Sequence, residues 1–197
     1  MIDWNERFAE TAHAYGTEPN DFLREWAGRV PAGRVLCLAE GQGRNAVFMA
    51  EQGYAVTAVD ASEVGLARAR ELAAERGVVI ETCHADLNTF VIEPGQWQGV
   101  VSVFCHLPAD VRQRVHASVV KGLAPGGVLI LEAYTPAQIA LNTGGPRDAA
   151  LCMQLEELQQ ELAGLRFLHA RETEREVVEG KYHYGKGAVV QIVAVKE

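Results

Sequence analysis

RVLCLA, at residues 34–39, runs directly into EGQGRN at 40–45, and YAVTAVD follows at 54–60. The first stretch is an apolar run of the length and content of a buried parallel strand. Gly41 and Gly43 turn the chain, and a helix of about ten residues is predicted through Gln52, stopped by Gly53. Tyr54–Val59 predicts a second strand, closed by Asp60. Strand, glycine turn, helix and strand make a βαβ unit, whose parallel strands need a right-handed crossover.

Working outward, the same alternation continues. Upstream, Glu18-Pro19-Asn20-Asp21 reads as a helix start with proline inside its first turn, and Phe22, Leu23 and Trp26 form its apolar face. Downstream, Ser62 caps a helix to about Arg76, which Gly77 ends. Val78–Thr82 and Val100–Phe104 predict strands three and four. Val111, Val115 and Val119 mark the next helix, and Gly126-Gly127 turns into strand five, Val128–Glu132. Leu151, Leu155, Leu158 and Leu162 carry a further helical stripe. Arg166–Ala170 and Ala188–Val195 are the last two strands, with Glu179–Gly187 as a polar, glycine-rich connection. No helix signal separates them, so they pair as an antiparallel hairpin. The expected fold is α/β: a Rossmann-like, doubly wound, mostly parallel seven-stranded sheet with a C-terminal antiparallel hairpin.

The 197 residues suit one domain, with a lid or helix segment at 1–30 and halves at 34–132 and 133–197. Its 18 Lys+Arg against 26 Asp+Glu give a formal charge of -8, which repels a phosphate backbone, so nucleic acid is not an expected partner. No apolar run approaches the roughly 20 residues of a membrane span, and the first ten residues hold no signal-peptide core. Cys37, Cys83, Cys105 and Cys152 show no paired spacing and read as reduced thiols of a cytoplasmic protein, monomeric or homodimeric. Cys83-His84 and Cys105-His106 offer zinc-ligand chemistry, but neighbours leaving a strand point to opposite faces, so no metal is expected.

Ligands of an open α/β sheet bind outside the carboxyl ends of its strands. Gly41 and Gly43 stand after strand one, where glycine lets backbone approach a ligand and the next helix offers free amides to an anionic group. Asp60 and Ala61 stand after strand two, where a carboxylate accepts the hydroxyls of a ribose. Asp86 after strand three is placed to accept from an adenine amine. This succession points to a nucleoside. Gly41-x-Gly43-x-x-Ala46 with Asp60 also fits the dinucleotide fingerprint of an NAD-dependent oxidoreductase. Against it, Arg44-Asn45 replaces a third glycine, Leu123–Gly127 opens strand five, and the chain ends in a hairpin; these favour a sulfonium nucleoside.

The stretch from Val35 to Glu132 resembles the class I S-adenosylmethionine-dependent methyltransferases, and Gly41-Gln42-Gly43-Arg44-Asn45 with Val59-Asp60 resembles their tellurite-resistance-type subgroup. Tyr15-Gly16-Thr17-Glu18-Pro19-Asn20 and Asn142-Thr143-Gly144-Gly145-Pro146 look like a bacterial branch labelled only as methyltransferases. The resemblance implies methyl transfer to a small-molecule acceptor. It implies a cofactor held by the backbone at Gly41, Gln42 and Gly43 at its methionine end, by Asp60 at the ribose, and by Asp86 with Leu87 at the adenine, with Arg44, Asn45, Ala61 and Tyr15 as further cofactor contacts. The family's acidic residue two places before the first motif glycine is replaced by Ala39, with Glu40 one later.

His106, after strand four, is the candidate general base. Tyr15 and Arg7 are candidates for a lid over the cofactor, and His183 and Tyr184 for the acceptor pocket. The charge run Glu172–Glu179 reads as an exposed edge. A nucleoside-binding regulatory module without turnover is the reading from a different class.

Overall fold

The computed structural model describes residues 3–11 and 13–197. Seven strands form one sheet: β1 (Arg34–Leu38), β2 (Ala55–Asp60), β3 (Glu81–His84), β4 (Trp97–Val103), β5 (Leu123–Tyr134), β6 (Leu165–Glu179) and β7 (His183–Lys196). Their order is β3-β2-β1-β4-β5-β7-β6. The first five are parallel, while β7 runs antiparallel to both β5 and β6. Strand order reverses at β1 and β4, which sets the ligand crevice of a doubly wound sheet there.

Helices α1 (Trp4–Ala9), α2 (Asp21–Trp26), α3 (Arg44–Glu51), α4 (Glu63–Glu75), α5 (Ala109–Gly122), α6 (Gln138–Leu141) and α7 (Leu155–Glu161) complete the layers. One core packs Phe22, Leu23, Met49, Leu66 and Leu72 against one sheet face; the other packs Val115, Val119, Leu158 and Leu162 against its opposite face. Both faces of the sheet are therefore dry, which is why its central strands read as continuous apolar runs.

Several boundaries differ from the sequence reading. Pro19 precedes the cap of α2 and does not lie in its first turn: Asn20 is the cap, its side chain accepting from the Leu23 amide at 2.9 Å. Strand three begins at Glu81, because Val78 still closes the end of α4 by donating to Ala73 and Val79 is exposed. The leucine stripe at 151–162 is broken: a 3-10 turn covers Ala149–Leu151, Met153 donates to the Tyr134 carbonyl, and α7 starts only at Leu155. The largest correction is the hairpin. Glu179–Gly187 is mostly strand, and the ladder of β6 with β7 runs from Leu165↔Lys196 to Glu179↔His183. Pairing of β7 with β5 stops at Tyr134↔Val189, so the hairpin continues past the carboxyl end of β5 as a two-stranded ribbon. Alternating charged residues hid this strand, since its outer edge is solvated.

Candidate functional site

The loop after β1 alternates left-handed residues: Ala39 (φ 49°), Gly41 (φ 62°) and Gly43 (φ 91°). It therefore begins at Ala39, two residues before the first glycine, although that conformation costs a non-glycine residue about 1–2 kcal/mol. At Gly43 the need is steric as well, since a Cβ there would lie 2.6 Å from the Ala69 Cβ on α4.

Glu40 is buried, and its Oε1 accepts from the amides of Asn45 (2.9 Å) and Ala46 (2.8 Å). It caps α3, and burial pushes its carboxyl up to about 7. The expectation that these amides stand free for an anionic group is thus overturned. The side chains of the loop are turned to the protein itself. Gln42 accepts from the Ala14 amide at 2.7 Å and donates to the Thr11 carbonyl. Asn45 accepts from the Asn20 amide, and Arg44 reaches Glu179 at 2.5 Å.

Asp60 is buried beside this loop, with Oδ2 accepting from the Gly41 amide and Oδ1 from the Ser62 amide, both at 2.8 Å. Burial pushes its carboxyl up from the usual range. A carboxylate offers about four acceptor sites, so capacity is left beside these amides and that of Ala61. The Ala61 carbonyl is bonded to His84 Nε2 at 3.0 Å. Asp86 is exposed and accepts from the Asn88 amide, while Leu87 is buried beneath it. Phe8, on α1, lies over the loop: a Cβ on Gly41 or Gly65 would meet its ring at 2.8 or 2.9 Å. Arg7 stacks its guanidinium over Tyr182, 4.1 Å from the ring centre. The N-terminal segment thus covers the ends of β1 and β2.

A second cluster sits at the ends of β4 and β5. Phe104, with φ 52°, is an aromatic residue in the left-handed region, the kind of strained backbone that collects at functional sites. Its ring stacks on Tyr134 with centres 4.5 Å apart, and His106 stacks on Tyr134 at 5.8 Å. His183 stands across these rings, 4.7 Å from Phe104 and 5.2 Å from Tyr134, and Tyr15 closes on it at 4.7 Å. His106 spends both ring nitrogens on backbone, Nδ1 donating to the Leu151 carbonyl at 2.9 Å and Nε2 accepting from the Tyr134 amide at 3.4 Å. Burial moves its pKa down to about 4. The general-base role expected of His106 is corrected accordingly: backbone groups of Leu151 and Tyr134 engage both of its ring nitrogens. Of the expected acceptor pair, His183 is buried and Tyr184 faces solvent.

Behind the rings lies a charged network absent from the sequence reading. Glu132 is fully buried and accepts from Arg175, Asn20 and Gln191. Glu179 accepts from Arg44, Arg175 and Asn20. Burial pushes the Glu179 carboxyl up, but the Arg44 and Arg175 guanidiniums outweigh it and hold it below the ordinary range. The exposed-edge reading of Glu172–Glu179 therefore fails at Arg175 and Glu179. Among the described residues no group of three or more His, Cys, Asp or Glu is placed to hold a metal ion. No helix of the described residues is long and apolar enough to cross a membrane.

A family model described as a methyltransferase domain matches residues 35–127. Among curated proteins, the chain is 28% identical over 117 residues to a 2-heptyl-1-hydroxyquinolin-4(1H)-one methyltransferase of Mycobacteroides abscessus, covering 58% of this chain and 52% of that one. It is 31% identical over 139 residues to a glycine/sarcosine N-methyltransferase of Halorhodospira halochloris, covering 67% and 48%. The chain thus spans about half the length of the curated relatives it matches. Among solved structures, TehB of Haemophilus influenzae superposes with a TM-score of 0.76 at 20% identity, over 100% of this chain and 68% of that one. The fold is that of the α/β methyltransferases.

Proposed function

We propose that this chain, whose residues 35–127 match a methyltransferase domain, is an S-adenosylmethionine-dependent methyltransferase with a small-molecule acceptor. Residues 1–197 are read as one unit, with 34–132 serving the cofactor and 133–197 the acceptor. The bound cofactor would supply a sulfonium methyl that is already electrophilic. The chain's own residues then have to bind, align and exclude water. Asp60 retains acceptor capacity for ribose hydroxyls, Asp86 with Leu87 borders the adenine side, and the backbone at 39–43 approaches the methionine end. Phe8, on α1, lies over this loop and has to shift to admit the cofactor.

The observation that carries this reading over a dinucleotide is Glu40. Its carboxylate fills the first amides of α3, where a dinucleotide fold seats its pyrophosphate. A pyrophosphate would find those amides already taken.

Calorimetry tests the reading directly. S-adenosylhomocysteine should bind and NADH should not; NADH binding alone would make the chain an oxidoreductase. A product-release assay over 2-heptyl-1-hydroxyquinolin-4(1H)-one, glycine, sarcosine, tellurite and selenite then separates an enzyme from a nucleoside-binding module. Binding without turnover on any acceptor would favour the module.

A further inference from the structure

One buried polar atom beside the cofactor loop has no use in the reading above. His183 is 8% exposed, and its Nδ1 is enclosed without a hydrogen-bond partner among the described residues. Such an atom costs stability unless something meets it. The surrounding structure is arranged to keep it there. Gly144 (φ 136°) packs so closely that a Cβ would lie 3.0 Å from the His183 Cδ2, and a Cβ on Gly145 (φ 80°) would lie 2.5 Å from Tyr134. Gly180 (φ 71°) sets its backbone against Ala14 and Tyr15, with the Lys181 amide donating to the Ala14 carbonyl. The glycine-rich stretch at 142–146 and the Tyr15-Gly16 stretch, singled out in the sequence, thus converge on one imidazole from two sides. Phe104, His106 and Tyr15 are only partly buried, so the cluster keeps an open side.

We propose that His183, with the Phe104 and Tyr134 rings and Tyr15, forms a recognition subsite for a flat aromatic ring bearing a hydroxyl group, the hydroxyl meeting His183 Nδ1. This names the acceptor class for the methyltransferase reading and rests on it. Flat apolar walls favour a ring over an aliphatic acceptor, since stacked and edge-on aromatic contacts supply area and orientation together. A hydroxyl is at once donor and acceptor, so it satisfies Nδ1 in either tautomer. The groups facing the imidazole are Glu179, Arg44, His106 and Arg175. Burial moves its pKa down to about 3, and Arg44, His106 and Arg175 press the same way against Glu179. The ring stays neutral across the physiological range, so His183 orients the acceptor and does not carry its proton away.

The test uses wild-type protein saturated with S-adenosylhomocysteine and three hydroxylated probes: phenol, 1-naphthol and 2-heptyl-1-hydroxyquinolin-4(1H)-one. Each is titrated against the analogue lacking the hydroxyl, with the His183 imidazole followed by NMR. At least one hydroxylated probe should bind tenfold or more tighter than its analogue and shift the His183 resonances, as expected for one buried hydrogen bond. His183→Phe, which keeps a ring without nitrogen, should erase that preference while leaving S-adenosylhomocysteine affinity unchanged. His183→Asn should restore part of it. The proposal is overturned if S-adenosylhomocysteine binds and no probe moves the His183 signals, or if His183→Phe keeps the preference. Failure of S-adenosylhomocysteine to bind is read separately and strikes the methyltransferase assignment.

Discussion

Both oxygens of Asp60 already accept a backbone amide, from Gly41 and from Ser62. Asp60→Ala should therefore do two things at once. It should weaken S-adenosylhomocysteine binding by about two orders of magnitude, the value of lost charge-assisted bonds. It should also lower stability by about 2–4 kcal/mol, because two buried amides lose their partner. Asp60→Asn keeps one amide satisfied and should lose less of both; calorimetry and chemical denaturation read them apart. Asp60 was legible as a strand-end carboxylate, but its structural duty was not, since a backbone amide leaves no mark in a sequence. Glu40 was equally opaque. Its folded pKa of about 7 lies above its ordinary value of 4.5, so the folded state holds the extra proton and this contribution to stability is lost as pH rises from 4.5 to about 7. The depressed His106 has the opposite sign: it favours the folded state above 6.5 and loses that contribution as pH falls toward about 4. The two offset one another in mild acid. Glu40→Gln, which keeps a carbonyl oxygen for the two amides, should make the fall in stability between pH 7 and pH 4.5 steeper than in the wild type, as measured by urea denaturation.

At the level of elements, α3 and α4 approach so closely at Gly43 and Ala69 that no side chain fits between them. Gly43→Ala combines φ 91° with a 2.6 Å clash, and should destabilise the protein by about 3 kcal/mol or more. Ala39→Gly, at φ 49°, should be near neutral, since relieved strain and added unfolded-state freedom are each about 1 kcal/mol. Thermal unfolding of the pair separates packing from conformation. Strands β1, β2, β4 and β5 were recognisable because burial on both faces makes them uniformly apolar. The ribbon of β6 and β7 was not, because one of its edges is solvated and its inner charges pair with each other. Arg175 and Glu179 have the composition of a surface and the surroundings of a core.

Across the whole molecule, the candidate site is assembled from segments far apart in the chain: residues 14–16, 104–106, 142–145 and 179–183. The buried pairing of Glu132 and Glu179 with Arg175 and Arg44 ties the sheet, the ribbon and the loop after β1 together. Arg175→Met should cost about 3–5 kcal/mol, because it strands buried carboxylates, and added salt should change this little. Such long-range convergence cannot be read from local patterns, which is why the glycine loop after β1 was foreseeable and the ring cluster at the ends of β4 and β5 was not. The ribbon has one more consequence. A lone pair of strands is marginally stable, so past β5 its integrity depends on the clasp at Ala14, Tyr15 and Gly144. Lys181 and Lys186 lie exposed within it, and trypsin cleaves after lysine. Digestion there is then a clock for the clasp. Gln42→Ala, which releases the Ala14 amide, should speed nicking at Lys181 while the rest of the chain stays resistant, and a bound ligand that tightens the clasp should slow it.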